Sequence, residues 1–247
     1  MPKPTGDHTE DALLGGQVRL LQPRKGYRVA IDPVLLAASV SPGVGQTVLD
    51  VGSGTGAVSL CLHHRCPEAE IHGLEREVAF LELARQSVEL NQAAIVFHEG
   101  DLAQWEAAQP GGYDFVLSNP PFWSPENSRP ASGLKRAAHF LEGMTLSEWV
   151  VRCCAFLSKE GTLSLIVPAD LQQEVISGLS DDMGSLDVLP ILPKGGQPAK
   201  RVLLKAQKGG VAPLKQHPGL VLHREDGSYT ERVDGVLRGA KALVSGD

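Results

Sequence analysis

The stretch Thr47-Val-Leu-Asp-Val-Gly-Ser-Gly-Thr-Gly56 decides the fold of this chain. Its first five residues are mostly apolar and predict a short buried strand, and the three glycines that follow predict a tight turn. The pattern then predicts a helix over Ala57–Arg65. A strand, a glycine-rich turn and a helix in that order are typical of an open parallel sheet that binds a ligand at the carboxyl end of its first strand.

Strand and helix signals alternate through the rest of the chain. The pattern predicts strands at residues 70–75, 94–98, 113–118 and 161–167 and helices at residues 78–91, 146–157 and 169–179. A late pair of strands is predicted at residues 187–192 and 201–206, and a further short strand at residues 220–223. Two more helices are predicted near the ends of the chain, at residues 33–40 and 230–243. This alternation predicts an α/β fold with a doubly wound, mainly parallel sheet, to which the late pair adds an antiparallel edge.

The composition limits the classes of protein to which the chain can belong. Its 247 residues, 42% of them hydrophobic, predict a globular protein with a large core. The sequence has no apolar run that could span a membrane or serve as an export signal, which predicts a cytoplasmic protein without a membrane partner. The four cysteines form no Cys-x-x-Cys pair and predict reduced thiols rather than a metal site: Cys61, Cys66, Cys153 and Cys154.

Acidic residues stand near the ends of three successive predicted strands and indicate the chemistry of the ligand. Asp50 precedes the first glycine by two positions, where its charge disfavours a pyrophosphate and suits an ammonium group. Glu75 can accept hydrogen bonds from both hydroxyls of a ribose. Asp101 can meet an adenine amino group while Leu102 covers the ring. An ammonium, a ribose and an adenine together describe S-adenosylmethionine, and the predicted cofactor-binding residues are Asp50, Gly52, Ser53, Gly54, Glu75, Asp101, Leu102 and Asn119.

The hexapeptide Ser118-Asn-Pro-Pro-Phe-Trp123 follows the fourth strand directly and offers a stiff grip for a planar amine. Two prolines with a fixed φ and a preceding residue forced towards an extended backbone make the segment rigid. The side-chain oxygen of Asn119 and the carbonyl of Pro120 can accept both N–H bonds of one amine while Phe122 stacks on its ring. The predicted catalytic residues are Asn119, Pro120, Pro121 and Phe122. The motif leaves three amines open, which are adenine N6, guanine N2 and the side-chain amide of glutamine.

The donor residues and this motif together resemble the class I methyltransferases that use S-adenosylmethionine. The segment from Gly16 to Ala37 resembles, more narrowly, the bacterial tRNA1(Val) adenine-N6 methyltransferases, and the resemblance continues to about Leu243. It implies a Rossmann-like domain over residues 16–247 with a seven-stranded sheet, preceded by a flexible N-terminus over residues 1–15. It also implies that residues 16–45 form an N-terminal cap segment in which Tyr27 to Asp32 fold over the donor site, and that the substrate is the adenine beside the anticodon of a valine tRNA.

Basic stretches suggest where an RNA would bind, although the net charge is −6. Acidic residues are absent from Val188 to Arg224, and small and basic residues follow the hexapeptide. Cations of this kind are suited to phosphate contacts, and an aromatic side chain is suited to a base swung out of its stack. The predicted substrate-binding residues are Trp123, Arg129, Lys135, Arg136, Lys200, Arg201 and Lys205.

Other substrates remain as alternatives. Phe122-Trp123 stands where Tyr-Phe is frequent in the family, and phenylalanine also occurs there in ribosomal guanine-N2 methyltransferases. Those enzymes usually carry a duplicated domain, and glutamine methyltransferases of release factors usually begin with a helical bundle, so the length of this chain disfavours both. The glycine-rich turn also fits the dinucleotide fingerprint, which keeps a non-enzymatic nucleotide-binding module as a remote alternative.

Overall fold

The computed structural model describes residues 8–25, 28–106, 109, 111–121 and 144–243, and its first element is an antiparallel hairpin. Strand β1 (His8–Leu13) pairs with β2 (Val18–Pro23) along the full length of both strands. The sequence predicted a flexible N-terminus over residues 1–15 and no strand there, whereas residues 8–13 form β1. The strand has little apolar content, since its first four residues are polar, and Glu10 pairs with Arg19 of β2 at 2.6 Å.

The main sheet confirms the predicted α/β fold, with a parallel body and an antiparallel edge. Its order is β10-β8-β9-β7-β6-β3-β4-β5, with β11 also paired to β8. Strand β9 runs antiparallel to both of its neighbours, β7 and β8, and the other pairs are parallel. The strands are β3 (Thr47–Val51), β4 (Glu70–Glu75), β5 (Ile95–Glu99), β6 (Tyr113–Ser118), β7 (Leu157–Pro168), β8 (Met183–Lys194), β9 (Arg201–Lys208), β10 (Lys215–Gln216) and β11 (Leu220–His223).

In the part of the chain that the structure describes the main sheet has nine strands, two more than the predicted seven, and one of the two, β11, is the short strand predicted at residues 220–223. The seven longer strands form the body, and the additional pair, β10 and β11, lies on the outer side of β8. Only β11 has a sequence signal, the run Leu-Val-Leu-His. Strand β10 has two exposed residues, and its backbone pairing with Asp187 and Val188 defines it.

Helices cover both faces of the sheet and enclose two large hydrophobic clusters and a small one formed by Leu81, Ala84 and Phe97. The first cluster lies under α1, α2 and α6, and the second under α4 and α5. The predicted helix over residues 169–179 instead begins with a 3-10 turn at Ala169–Leu171. The helices are α1 (Asp32–Ala38), α2 (Ala57–Arg65), α3 (Val78–Asn91), α4 (Leu146–Ala155), α5 (Gln172–Ser177) and α6 (Glu231–Gly239). None of these helices is long and apolar enough to cross a membrane.

The register of the parallel strands brings the predicted site residues to one edge of the sheet. Val51, the last residue of β3, pairs with Leu74 of β4 on one side and with Ser118 of β6 on the other. Glu75 in turn pairs with Glu99 of β5. The carboxyl ends of β3, β4, β5 and β6 are therefore level, and the segments that follow them share this edge, where ligands of such sheets bind.

Candidate functional site

The glycine-rich turn after β3 is held against the end of β4 by backbone hydrogen bonds. The N–H groups of Gly52 and Ser53 both donate to the carbonyl of Leu74, at 2.9 and 3.0 Å. Gly52 and Gly54 have φ values of 71° and 55°, a region that favours glycine. No described atom lies within 4 Å of the position that a Cβ of Gly54 would occupy, so the turn leaves open space beside its backbone.

Glu75 supports this turn from the end of β4. Its carboxylate is buried, and its two oxygens accept from the N–H groups of Gly54 at 2.7 Å and Glu77 at 2.8 Å. Each carboxylate oxygen has a second lone pair. Glu75 therefore has capacity left to accept a ribose hydroxyl beside the open space at Gly54, and it also fixes the turn that would receive the ligand.

Asp50 is buried beneath the turn, where the hydroxyl of Ser59 on α2 donates to its carboxylate at 2.7 Å. Burial raises the pKa of Asp50 to about 7, and the nearby carboxylate of Glu75 adds to the effect, while Ser59 opposes it. A cation arriving at the turn would favour the ionised form of Asp50. The structure encloses this carboxyl group, and its direct contact with a donor remains a prediction.

The segment after β5 contains the two remaining predicted donor residues, of which Asp101 is accessible and Leu102 is buried. Asp101 is half exposed, accepts from the N–H of Ala103 at 2.9 Å, and lies 3.9 Å from the guanidinium of Arg76. Leu102 is buried in the hydrophobic cluster under α4. The carboxylate of Asp101 is available at the edge of the sheet, whereas little of Leu102 remains accessible to cover a ring.

The turn also contains a polar atom that lacks a partner. The hydroxyl of Ser53 is buried and has no hydrogen-bond partner among the residues that the structure describes. It lies against Gly73 of β4, where an added Cβ would come within 3.0 Å of it. Open space at Gly54, the carboxylate of Glu75 and this unpaired hydroxyl together fit an adenosyl ligand with hydroxyl and cationic groups.

The amine-binding motif lies partly within the described residues. Asn119, Pro120 and Pro121 directly follow β6 at the edge that carries the glycine-rich turn; Pro120 is buried and Pro121 is exposed. Phe122 and the predicted substrate contacts Trp123, Arg129, Lys135 and Arg136 lie outside the described residues. The structure thus places Asn119 and Pro120 at the edge of the sheet that carries the glycine-rich turn, and their role and the aromatic part of the motif remain predictions.

Sequence reasoning missed three residues that hold these segments in place. The indole of Trp149 on α4 donates to the hydroxyl of Ser118 at 3.1 Å, and that hydroxyl donates to the carbonyl of Val51 at 2.8 Å. The guanidinium of Arg152, one turn further along α4, donates to the carbonyls of Leu102 and Trp105 at 3.1 and 2.8 Å. Their only sequence signal is the helical spacing, which does not reveal tertiary partners.

The predicted phosphate contacts in β9 do not form one cluster. Arg201 begins the strand and pairs with Asp32 of α1 at 2.9 Å, and Lys200 beside it is exposed. Lys205 lies four residues further along β9, about 13 Å away at the rise of a strand. Because β9 is antiparallel to β7, its start at Arg201 lies level with Pro168 at the carboxyl edge, while Lys205 lies towards the middle of the sheet.

The cysteine side chains are unpaired thiols, and most of them are buried in the core. Cys61, Cys153 and Cys154 are buried, Cys66 is half-buried, and all four are free. Burial raises the pKa of the Cys61 thiol to about 12, which makes it a poor nucleophile. Within the described ranges no three histidine, cysteine, aspartate or glutamate side chains are grouped so that they could hold a metal ion.

The chain is similar to known methyltransferases in sequence. The family model of the methyltransferase small domain matches residues 31–190. A curated tRNA1(Val) (adenine(37)-N6)-methyltransferase of Aeromonas hydrophila is 30% identical over 218 residues, which cover 85% of this chain and 88% of that protein. A protein of the same name from Actinobacillus succinogenes is 26% identical over 188 residues, covering 75% of this chain and 78% of its own.

Solved structures show the same fold. A crystal structure from Agrobacterium tumefaciens, described as a predicted O-methyltransferase, superposes with a TM-score of 0.70 at 26% identity and covers 87% of this chain and 99% of its own. The structure of TYW2 from M. jannaschii in complex with AdoMet superposes with a TM-score of 0.55 at 12% identity, over 84% and 88% of the two chains. At that identity the second match is evidence of the fold alone.

Proposed function

This chain belongs to the methyltransferase small domain family, and we propose that it transfers a methyl group from S-adenosylmethionine to the N6 amine of an adenine in tRNA. The family resemblance predicted from the sequence is confirmed by the match over residues 31–190. The observation that carries the proposal is the level register of β3, β4 and β6, which sets Asn119 beside the turn braced by Glu75.

The donor half of the site consists of the glycine-rich turn and its neighbours. Bound S-adenosylmethionine would supply an electrophilic methyl group on a sulfonium. Gly54 leaves room for the ligand, Glu75 accepts from its ribose, and the cationic part of the ligand favours the ionised form of Asp50. Asp101 at the next strand end suits its adenine amino group.

The acceptor half consists of Asn119 and Pro120. The side-chain oxygen of Asn119 and the carbonyl of Pro120 each accept one N–H of the adenine amine, which directs the nitrogen lone pair towards the methyl group. In-line positioning of this kind lowers the barrier by on the order of 7 kcal/mol in good cases. The new N–C bond forms as the S–C bond breaks, and the acidic methylated amine then releases its proton to water, so the chain need not provide a strong base.

The names of relatives support adenine as the acceptor and tRNA as the substrate. Curated relatives that match most of this chain carry the name tRNA1(Val) (adenine(37)-N6)-methyltransferase. With that substrate, we expect the protein to act in the cytoplasm on the adenine beside the anticodon of a valine tRNA. The solved relative from Agrobacterium tumefaciens is described as an O-methyltransferase, so the assay must also detect methylation of oxygen.

The decisive experiment incubates the purified protein with S-adenosylmethionine and total bacterial tRNA, followed by mass spectrometry of nucleosides. We expect new N6-methyladenosine. New N2-methylguanosine or 2′-O-methylnucleosides instead would reject the adenine assignment, and no methylated nucleoside at all would reject tRNA as the substrate. Calorimetry with S-adenosylmethionine and with NAD tests the donor separately, because a nucleotide-binding module would prefer NAD.

A variant of the acceptor half tests the role of the motif. We expect Asn119→Ala to lose nearly all turnover while its affinity for S-adenosylmethionine stays close to that of the wild type. Gln216→Ala, which removes an exposed amide from the far edge of the sheet, is the matched control and should turn over normally. Normal turnover by Asn119→Ala would mean that the amine is held by other groups.

A further inference from the structure

Trp149 makes contact with both halves of the proposed site. Its indole N–H donates to the hydroxyl of Ser118 at 3.1 Å, and Ser118 directly precedes Asn119. The same hydroxyl donates to the carbonyl of Val51 at 2.8 Å, and Val51 directly precedes Gly52. Val51 and Ser118 are partners in the β3–β6 register. The two hydrogen bonds therefore connect the strand that leads into the glycine-rich turn (the donor turn, residues 52–56) with the strand that leads into the amine-binding residues Asn119 and Pro120.

The ring of Trp149 also packs on the backbone of the donor turn. A Cβ built on Gly52 would lie 3.3 Å from Cζ2 and 3.4 Å from Cη2 of the indole. Gly52 has a φ of 71°, and a glycine has wide conformational freedom because it lacks a side chain. Here the indole ring and the hydrogen bond from the N–H of Gly52 to the carbonyl of Leu74 restrict that freedom. Trp149 therefore packs against Gly52 and donates a hydrogen bond to Ser118 at the same time.

Helix α4 is built to hold this side chain still. The helix begins with a capping box in which the side chain of Thr145 accepts from the N–H of Glu148, and Glu148 accepts in return from the N–H of Thr145. Trp149 is the next residue. One turn later Arg152 binds two carbonyls after β5, so the same helix is tied to the edge of the sheet at a second place.

We propose that Trp149 is a positioning residue of the methyl transfer, acting through Ser118 on Asn119 and through Gly52 on the donor turn; this inference rests on the proposed function. Methyl transfer requires nitrogen, carbon and sulfur in line, and a shift of about 1 Å can cost on the order of a hundredfold in rate. Donor and amine are bound by segments of different strands. A rigid indole spanning both segments fixes their relative position better than the backbone of either alone.

The test compares single and double variants with a matched control. Trp149→Phe keeps an aromatic ring and removes the N–H, and Ser118→Ala removes the hydroxyl that joins the two hydrogen bonds. Tyr113→Phe is the control, because it also removes one polar atom from a buried aromatic ring in the same hydrophobic cluster, and its hydroxyl has no partner among the described residues. Melting temperature, kcat and KM for tRNA, and the affinity for S-adenosylmethionine are measured for each.

We expect kcat of Trp149→Phe and of Ser118→Ala to fall on the order of tenfold with little change in KM for tRNA, and Tyr113→Phe to match the wild type. Because both changes break the same bridge, the double variant should be no slower than the slower single variant. A wild-type kcat in Trp149→Phe, or rate losses that multiply in the double variant, would overturn the proposal. If the melting temperature of Trp149→Phe is far below that of the wild type, the kcat of Ser118→Ala alone decides the test.

A fluorescence titration separates failure of this inference from failure of the proposed function. If the wild type forms no N6-methyladenosine, the substrate assignment fails, but contact between Trp149 and the donor turn can still be measured. The titration uses a Trp123→Phe background, because Trp123 belongs to the predicted substrate site and would add its own response; S-adenosylmethionine should change the tryptophan emission of that protein and change it much less when Trp149 is also phenylalanine. Equal changes in the two proteins would refute the contact with the donor turn, whatever the substrate is.

Discussion

Replacing Asp50 with asparagine should make the protein more stable at neutral and alkaline pH, although this residue belongs to the predicted donor site. Asp50 is 1% exposed, and the hydrogen-bond partner of its carboxyl group is the hydroxyl of Ser59. Burial penalises the charged form and raises the pKa of Asp50 to about 7. An asparagine has nearly the same shape and keeps an oxygen that accepts from Ser59, but it cannot ionise.

The magnitude follows from the two protonation states. Between the ordinary pKa of 3.8 and the value of about 7, the unfolded chain releases the proton of Asp50 while the folded protein retains it. The free energy of unfolding then falls as pH rises, by about 1.4 kcal/mol per pH unit and by about 4 kcal/mol in total. Below pH 3.8 both states hold the proton, and above about pH 7 both have lost it, so the loss is complete there.

The assay is urea unfolding at pH 5, 6, 7 and 8, followed by circular dichroism. Relative to the wild type, Asp50→Asn should gain about 3 kcal/mol in free energy of unfolding between pH 5 and pH 8, most of it before pH 7. Asp181→Asn, at an exposed aspartate, is the control and should show no such gain. If the curves of Asp50→Asn and the wild type stay parallel from pH 5 to pH 8, the carboxyl group is not held neutral by burial and the reasoning is refuted.

Three further predictions concern other parts of the site. Glu75→Gln turns one acceptor into a donor that faces a backbone N–H, so calorimetry should show weaker binding of S-adenosylmethionine, and the free energy of unfolding should fall by about 1–3 kcal/mol. Arg152→Ala releases two carbonyls after β5, and hydrogen exchange should accelerate in that segment and not in β3. If Lys200 and Lys205 contact phosphates, changing both to glutamate should weaken tRNA binding and lower its salt slope by about 2, whereas Lys215→Glu at the far edge should leave the slope unchanged.

Much of the central fold could be predicted because its signals are local. The strands Thr47–Val51 and Glu70–Glu75 and the helices Ala57–Arg65 and Val78–Asn91 have the bounds that the apolar pattern predicted. Thr47–Val51 is a short run that is buried at every position, and Val78–Asn91 buries residues at helical spacing, so a window of a few residues is enough to predict each of them. Strand His8–Leu13 was missed, because its place in the fold depends on a partner strand and not on its own apolar content.

Site residues at strand ends could be predicted from the sequence, whereas their hydrogen-bond partners on other elements could not. The position of Glu75 and Asn119 at strand ends follows from the order of elements, and the register brings both to one edge. The partner of Asp50 was not predictable, because Ser59 meets it only once α2 packs on β3. Trp149 lies 31 positions after Ser118 in the chain, beyond any local pattern, and only the packing of α4 shows that they are bonded.

Two polar groups beside the glycine-rich turn lower the stability of the fold in the absence of a ligand. The carboxyl group of Asp50 is buried with a raised pKa, and the hydroxyl of Ser53 is buried without a partner in the described part of the chain. A fold selected for stability alone would place apolar groups there, since an unpaired buried polar group costs about 1–3 kcal/mol. Both residues belong to the segment from Asp50 to Gly54, and the backbone leaves open space beside Gly54. A ligand that brings a positive charge and hydrogen-bonding groups would relieve both penalties, so the destabilised atoms themselves indicate what this turn is built to bind.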